Sequence, residues 1–227
     1  MPSQEARQFH IKPLMDVARF LHELPGLFDD YPSSEHPRDR RLRRVLDEVP
    51  GLATENCLAL LNLAAACLEP GEAYVEAGSF RGTSLIAAGL GNEAELVGID
   101  RFSMDGSDRS TLEANLARFG VTARVVEGEV REALRAGALE GVRVGVFYYD
   151  AEHTREALLG SLRLAEPLLA PRALIVVDDS DWERVAGAVG EYLAGQSRAR
   201  LVLKLKGAEH GAPQWWEGVQ VLEHVSK

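Results

Sequence analysis

From Ala73 onward the chain alternates short apolar runs with amphipathic stretches, and this alternation constrains the fold more than any other feature. The runs fall at 73–77, 96–100, 121–127, 142–149, 173–177, 201–205 and 218–224. Between them, residues 83–90, 110–119, 131–135, 154–169 and 182–193 carry helical patterns. Runs such as VGVFYY and ALIVV are apolar almost throughout. That composition fits strands covered on both faces rather than one. Strands alternating with helices predict an α/β fold with a doubly wound, Rossmann-like parallel sheet. The last two runs are joined only by Lys206–Glu217, too short a stretch for a helical crossover. They are expected to pair as an antiparallel hairpin. The prediction is a seven-stranded, mostly parallel sheet with an antiparallel last strand, plus N-terminal helices.

Residues 1–53 read as an N-terminal helical cap or lid, and 54–227 as the cofactor-binding domain. Val17, Phe20, Leu21 and Leu24 form one amphipathic stripe, which Pro25-Gly26 ends. Leu42, Val45 and Leu46 suggest a second short helix before Pro50-Gly51. Thr54 is placed to cap a strong helix over 54–68. The net charge of −10 disfavours nucleic acid as a partner. Arg38, Arg40, Arg41, Arg43 and Arg44 form the one basic cluster and read as a solvated helix start. Cys57 and Cys67 lie ten residues apart in one helical pattern. At about 1.5 Å rise per residue they are too far apart to bridge within that helix. A reducing cytoplasm is therefore the expected setting. No signal-peptide pattern opens the chain, and no apolar stretch reaches the ~18 residues of a membrane span, so no membrane is expected. Base rates favour a homodimer.

The strongest local signal is Tyr74-Val75-Glu76-Ala77-Gly78-Ser79-Phe80-Arg81-Gly82-Thr83-Ser84. A strand runs into a glycine-containing turn and then a helix, whose free N–H groups suit polar ligand atoms. Asp100 ends the second strand, 22 residues after Gly78, the spacing of an acid that binds ribose hydroxyls. Dinucleotide sites use G-x-G-x-x-G to admit a pyrophosphate. Here the spacing is G-x-x-x-G with Glu76 just before it. A carboxylate there disfavours a pyrophosphate and suits a cationic amino-acid tail, which favours S-adenosylmethionine over NAD. A tight turn without any ligand is the alternative reading.

These residues resemble the class I S-adenosylmethionine-dependent methyltransferases. The likeness is to the small-molecule O-methyltransferase branch that includes macrocin-type and cephalosporin-hydroxylase-like proteins. VEAGSFRGTS, GIDRF, YYDAEH and LRLAEPLLAPRALIVVDDSDW carry it, over about Thr54 to Trp182 plus the closing hairpin. The resemblance implies that Glu76, Gly78, Ser79 and Gly82 line the methionine part of the cofactor. It implies that Asp100 holds the ribose and that Glu129 lies near adenine. Two departures stand out. Pro171-Arg172-Ala173 replaces the family's Gly-Gly turn, and Asp150-Ala151-Glu152-His153 replaces its Asp-Gly-Asp-His stretch.

Asp150 ends the fourth run, and Asp178 and Asp179 end the fifth. Ligands in such sheets bind at the carboxyl ends of strands, so three carboxylates should converge there. Like charges that close repel unless a cation neutralises them. All-oxygen ligands suit Mg²⁺, and the family resemblance supports a metal on these strand ends. Coordination would lower the pKa of a substrate hydroxyl and fix its position. His153 is then the candidate base, a role the resemblance also implies, with Asp150 as its catalytic partner. The bland alternatives are that Asp178-Asp179 cap a helix or turn, that Asp150 contacts only the cofactor, and that His153 is solvated and inert. Asp181 is the candidate cap before Trp182. Phe102 and Met104 either stack near adenine or simply pack. Trp215 and Trp216 either wall a substrate pocket or form an oligomer interface. His10, His22 and His36 read as surface residues, and His210 as a minor candidate for the pocket.

The functional expectation is a metal-assisted O-methyltransferase acting on a small hydroxylated metabolite. The rivals are an NAD-dependent oxidoreductase and a cofactor-binding protein without transferase activity. Replacing Asp150 by Ala separates the enzyme readings.

Overall fold

The computed structural model describes residues 14–207 and 214–226. Its strands are β1 (Ala73–Ala77), β2 (Glu95–Asp100), β3 (Arg124–Glu127), β4 (Val144–Tyr149), β5 (Leu169–Val177), β6 (Ala199–Leu205) and β7 (Val219–Val225). They form one sheet in the order β3-β2-β1-β4-β5-β7-β6. The first five run parallel to one another, and β7 runs antiparallel to both β5 and β6. The strand order reverses between β1 and β4. A crevice opens at their carboxyl ends, where ligands bind in open sheets of this kind.

The helices are α1 (Val17–Glu23), α2 (Arg43–Glu48), α3 (Glu55–Ala66), α4 (Thr83–Gly89), α5 (Arg109–Phe119), α6 (Val130–Arg135), α7 (Arg155–Ala165) and α8 (Glu183–Ala194). Side chains alternate across each strand, so each sheet face builds its own core. Tyr74, Val146, Tyr148, Leu174 and Val176 pack with α3, α4 and α5. Val75, Ala77, Phe147, Tyr149, Ile175 and Val177 pack with α6, α7 and α8. Both cores are apolar, which is why the central strands lack a polar face.

The boundaries differ from expectation around β5. The helix expected over 154–169 stops at Ala165, and a 3₁₀ turn over Glu166–Leu168 carries Pro167. Proline lacks the N–H that an α-helix needs. β5 starts early, at Leu169, and its register against β4 jumps from Val144↔Leu169 to Val146↔Leu174. Pro171 and Arg172 are exposed within this irregular stretch, the place in a sheet where proline is tolerated. β3 begins three residues later than the apolar run suggested, at Arg124.

Met15, Phe20, Leu24, Phe28 and Val49 are buried in the same cluster as α3 and α4. The basic cluster is paired: Arg38 with Asp29, Arg40 with Glu55, Arg43 with Asp47 and Arg44 with Glu48. Arg41 donates to Asn62. The structure thus agrees with a helix-start reading. Thr54 caps α3 by accepting from the Cys57 N–H. Cys57 and Cys67 are buried and unbridged. His22 and His36 are exposed, whereas His10 and His210 lie outside the described residues. Among the described residues no helix is long and apolar enough to cross a membrane.

Candidate active site

A cleft of about 540 Å³ lies at the carboxyl ends of β1, β2, β4 and β5. Its first wall is the turn from β1 into α4. The Gly78 N–H donates to Ile99 O and the Asp150 N–H to Ala77 O, each at 2.8 Å, so three strand ends are tied together. Gly78 has φ +92, and a Cβ there would lie 1.9 Å from the Asp150 carbonyl oxygen. Only glycine permits both that φ and that approach. Asp100 then fixes the turn. Its Oδ2 accepts from the Ser79 and Phe80 N–H groups (2.8 and 2.7 Å) and its Oδ1 from Phe102 (2.6 Å).

Gly78, Ser79, Asp100 and Glu129 all line the cleft. Ser79 Oγ is buried against Gly98 on β2 and helps hold the Glu76 carboxyl down against the effect of burial. Glu129 caps α6, accepting from the Glu132 N–H at 3.0 Å. Burial pushes its carboxyl up, but hydrogen bonds from Glu132 and Arg131 outweigh that and hold it below the ordinary value. Gly82 is a left-handed cap that turns the chain into α4, and it does not line the cleft. Glu76 also lies behind the wall. It is fully buried, accepts from the Tyr74 hydroxyl at 2.9 Å, and is pushed up to about 8 by burial. A neutral acid behind the turn does not offer the exposed charge that the sequence suggested. Met104 lines the cleft, while Phe102 packs against the core at its edge.

The opposite wall is made of side chains. Asp150, His153, Asp178 and Asp179 meet there, as the strand ends required. His153 Nε2 lies 2.9 Å from Asp179 Oδ2 and 3.7 Å from Asp150 Oδ1. It makes no well-directed hydrogen bond to either. Burial pulls its pKa down, but the two carboxylates outweigh this and raise it to about 9. Burial likewise raises Asp150, and burial with the Asp150 charge pushes Asp178 up to about 8.

All three carboxylates drawn from the sequence as a metal set, Asp150, Asp178 and Asp179, line the cleft. The donor atoms that converge belong to Asp150, His153 and Asp179, all within 4.8 Å of one another. Asp178 turns inward: its Oδ2 accepts the Tyr148 hydroxyl and its Oδ1 the Asp179 N–H (2.9 Å). Tyr148 also reaches Asp150 Oδ2 at 3.3 Å. Sequence reasoning missed Tyr148 because it sits in an apolar strand. The available signal was its position two residues before Asp150, hence on the same strand face.

Asp181 is not the cap of α8 either. Trp182 occupies that position without a side-chain bond, and Asp181 Oδ2 accepts the Gly207 N–H at 2.8 Å. The Ser180 and Asp181 N–H groups donate to Gly218 O and Glu217 O. The loop after β5 is thereby stitched to the base of the β6–β7 connection. That connection splits its two tryptophans. Trp215 is buried, donates to Pro32 O at 2.8 Å and packs edge-on against Phe28 and Tyr31. Trp216 lines the cleft with φ +48. Trp182 lines it too, with its ring 5.0 Å from that of His153.

A glycine turn and an acidic wall at the switch point of an open sheet form the kind of crevice in which α/β folds hold ligands. Comparison with known proteins narrows the class. Residues 75–180 match the family model described as a methyltransferase domain. The matched stretch, just under half of the chain, holds the glycine turn, Asp100, Asp150, Asp178 and Asp179. The solved O-methyltransferase TomG of Streptomyces achromogenes, involved in tomaymycin synthesis and bound to SAM, is similar at 18% identity and TM-score 0.62, covering 93% of this chain and 97% of that one. The O-methyltransferase of Bacillus cereus in complex with SAH is similar at 14% identity and TM-score 0.60, covering 90% and 96%. The Podospora anserina methyltransferase PaMTH1 bound to SAH is similar at 17% identity and TM-score 0.60, covering 82% and 86%. No curated protein matches the sequence. The structural likenesses concern the fold.

Proposed function

We propose that the chain transfers the methyl group of S-adenosylmethionine to a hydroxyl of a small metabolite. The observation that carries this reading is the two-sided cleft. A backbone-lined turn at Gly78–Ser79 faces a wall of carboxylates and His153 across one cavity. The first wall suits the cofactor, because its glycine lets a ligand approach the backbone closely. In this reading Asp100 holds the ribose and Glu129 the adenine, both of them lining the cleft, while Glu76 and Gly82 support the turn from behind. The likeness to the O-methyltransferases TomG and that of Bacillus cereus supports oxygen as the methyl acceptor atom.

In this reading the acceptor hydroxyl enters beside Trp182 and Trp216 and meets Asp150 and His153. The acceptor proton passes to the Asp150–His153–Asp179 cluster as its oxygen attacks the sulfonium methyl in line. The cluster fits a divalent cation, because its donor atoms converge and the buried His153 Nε2 lacks a directed partner. A cation bound there would lower the pKa of the acceptor hydroxyl. Of the N-terminal segment, the helices over 17–23 and 43–48 act as a cap, and Gly51, Leu52 and Ala53 reach the cleft. The unbridged thiols suit a reducing cytoplasm.

The test is calorimetric titration with S-adenosylmethionine, S-adenosylhomocysteine and NAD. It is paired with methyl transfer to catechol, a simple phenol and a hexose, with and without EDTA. Micromolar binding of the first two ligands and a methylated hydroxyl product support the proposal. Binding of NAD alone overturns it. Full turnover in EDTA removes the metal from it.

A further inference from the structure

We propose that Trp216 is the residue that selects the methyl acceptor, presented to the cleft by its buried neighbour Trp215, and that the acceptor it selects is a neutral aromatic alcohol. The inference rests on the methyl-transfer reading above and deepens it by naming the substrate class.

The β6–β7 connection is fixed on both sides of Trp216. Before it, the Thr54 hydroxyl donates to Gln214 O at 2.9 Å. The Trp215 indole N–H donates to Pro32 O at 2.8 Å, and its ring packs edge-on against Phe28 and Tyr31 at 5.5 and 6.3 Å. After it, the Asp181 N–H donates to Glu217 O and the Gly218 N–H to Trp215 O, each at 2.7 Å. Gly207 lies against the middle of the segment: a Cβ there would stand 1.8 Å from Trp216 O. These ties hold Trp216 at φ +48, a left-handed conformation that bulky residues rarely take. Residues that their surroundings force into such conformations cluster at ligand sites. The two tryptophans thereby divide the work. Trp215 is the anchor in the core, and Trp216 is the ring presented to the cleft.

Among the described residues the Trp216 side chain has no hydrogen-bond or aromatic partner, so its face is open to a ligand. Its neighbours give the class of that ligand. Trp182 lines the same cleft, but its indole N–H donates to Glu217 Oε2 at 3.2 Å and the Arg184 guanidinium stands 4.3 Å from its ring centroid. Leu52 and Ala53 also line the cleft, directly before the Thr54 that is bonded to Gln214, so they lie at the Trp216 end. Leu52 is 62% exposed, the most of any large apolar side chain among the described residues. A sugar ring would lose water from its rim of hydroxyls against these apolar groups. A flat aromatic ring buries well there and stacks on Trp216. Charge sets a second limit. Asp150, Glu152 and Asp179 line the cleft, and Arg101, which lines it too, faces Glu152 at 4.0 Å. A carboxylate on the acceptor would meet like charge.

The experiment titrates protein saturated with S-adenosylhomocysteine with naphthol, para-hydroxybenzoate and methyl glucoside, and calorimetry gives the affinities. Naphthol is expected to bind at least about tenfold more tightly than either of the others. Trp216→Ala should lose about tenfold or more in naphthol affinity, whereas Trp216→Phe keeps a ring and should stay within about threefold of wild type. Trp215→Phe keeps an apolar anchor but loses the bond to Pro32 O, and should weaken naphthol by about threefold to tenfold. S-adenosylhomocysteine affinity within about twofold of wild type shows that each variant is folded and that the effect is confined to the acceptor end. Equal or tighter binding of the glucoside or the benzoate, or unchanged naphthol affinity in Trp216→Ala, overturns the assignment and leaves methyl transfer to a hydroxyl intact. Naphthol binding without a methylated product in the presence of S-adenosylmethionine overturns the transfer reading and leaves the aromatic subsite. Failure of wild type to bind S-adenosylhomocysteine overturns both.

Discussion

The two walls of the cleft are built by different means. The β1–α4 turn is backbone work: one glycine, three N–H groups and one carboxylate that organises them. The facing wall is side-chain work, drawn from the ends of β4 and β5 and from the β6–β7 connection. The first wall is rigid because its hydrogen bonds are satisfied within one short stretch and its neighbour strand. The second gathers like charges that must share protons, pair with His153 or hold a cation. On the proposed function, binding belongs to the first wall and chemistry to the second.

Breaking the first wall should have the largest effect. Gly78→Ala puts a Cβ 1.9 Å from the Asp150 carbonyl oxygen at φ +92. We expect a cost of about 4 kcal/mol or more, with loss of soluble protein or a collapsed melting temperature. A stable variant that still binds cofactor would show that the turn tolerates displacement.

Breaking the second wall should leave the fold standing. Asp150→Asn or Asp150→Ala is expected to lower kcat by about 10²- to 10⁴-fold while cofactor affinity stays within a few-fold. Unchanged turnover would remove Asp150 from the chemistry. Parallel losses in turnover and cofactor binding would merge the two walls into one unit.

Glu76 sharpens the comparison, since it is a charge-capable residue buried behind the backbone wall. Its folded pKa is about 8 against an ordinary 4.5. A carboxyl raised in the folded state favours folding below pH ~4.5, and that contribution is lost as pH rises toward 8. Glu76→Gln should therefore gain stability relative to wild type between pH 5 and 9, by up to a few kcal/mol. Urea unfolding at both ends of that range measures it. A difference that does not change with pH would mean that Glu76 is ionised in place.

The smallest effect is expected at Asp181, which is exposed and clamps Gly207 through one hydrogen bond. Asp181→Ala should cost about 1 kcal/mol or less. Its signature is a raised KM for the acceptor with an unchanged cofactor affinity, because Trp216 is seated by this joint. Asp181→Asn keeps an acceptor oxygen and should restore the wild-type KM. Equal effects on both substrates would mean that the joint supports the whole cleft.

The difference between the walls also explains what could be read from the sequence. Gly78, Ser79 and Asp100 were found because a turn and its acid are local patterns with a fixed spacing. Asp150, His153 and Asp179 were found because strand ends share one edge of a parallel sheet. Asp181 was assigned the wrong role, and the hydrogen bonds of Asp178 were not foreseen. Their side-chain directions depend on the φ of Asp179 and on a hydroxyl from another strand, neither of which spacing encodes. Tyr148 was hidden because tyrosine in an apolar strand reads as packing. Trp215 and Trp216 are adjacent in sequence yet end in a core and a cleft, a choice made by the positive φ at Trp216.

The sequence by itself determined the strand–helix alternation, the antiparallel closing hairpin, the glycine turn and the edge at which acids collect. These follow from periodicity and from chirality, which act over a few residues at a time. Only the tertiary structure decided which oxygen of which aspartate faces the cleft, that Glu76 lies behind its wall, and that the N-terminal helices join the main core. Those outcomes depend on groups from distant segments competing for the same few ångströms, and the winner is set by packing and hydrogen-bond geometry rather than by spacing.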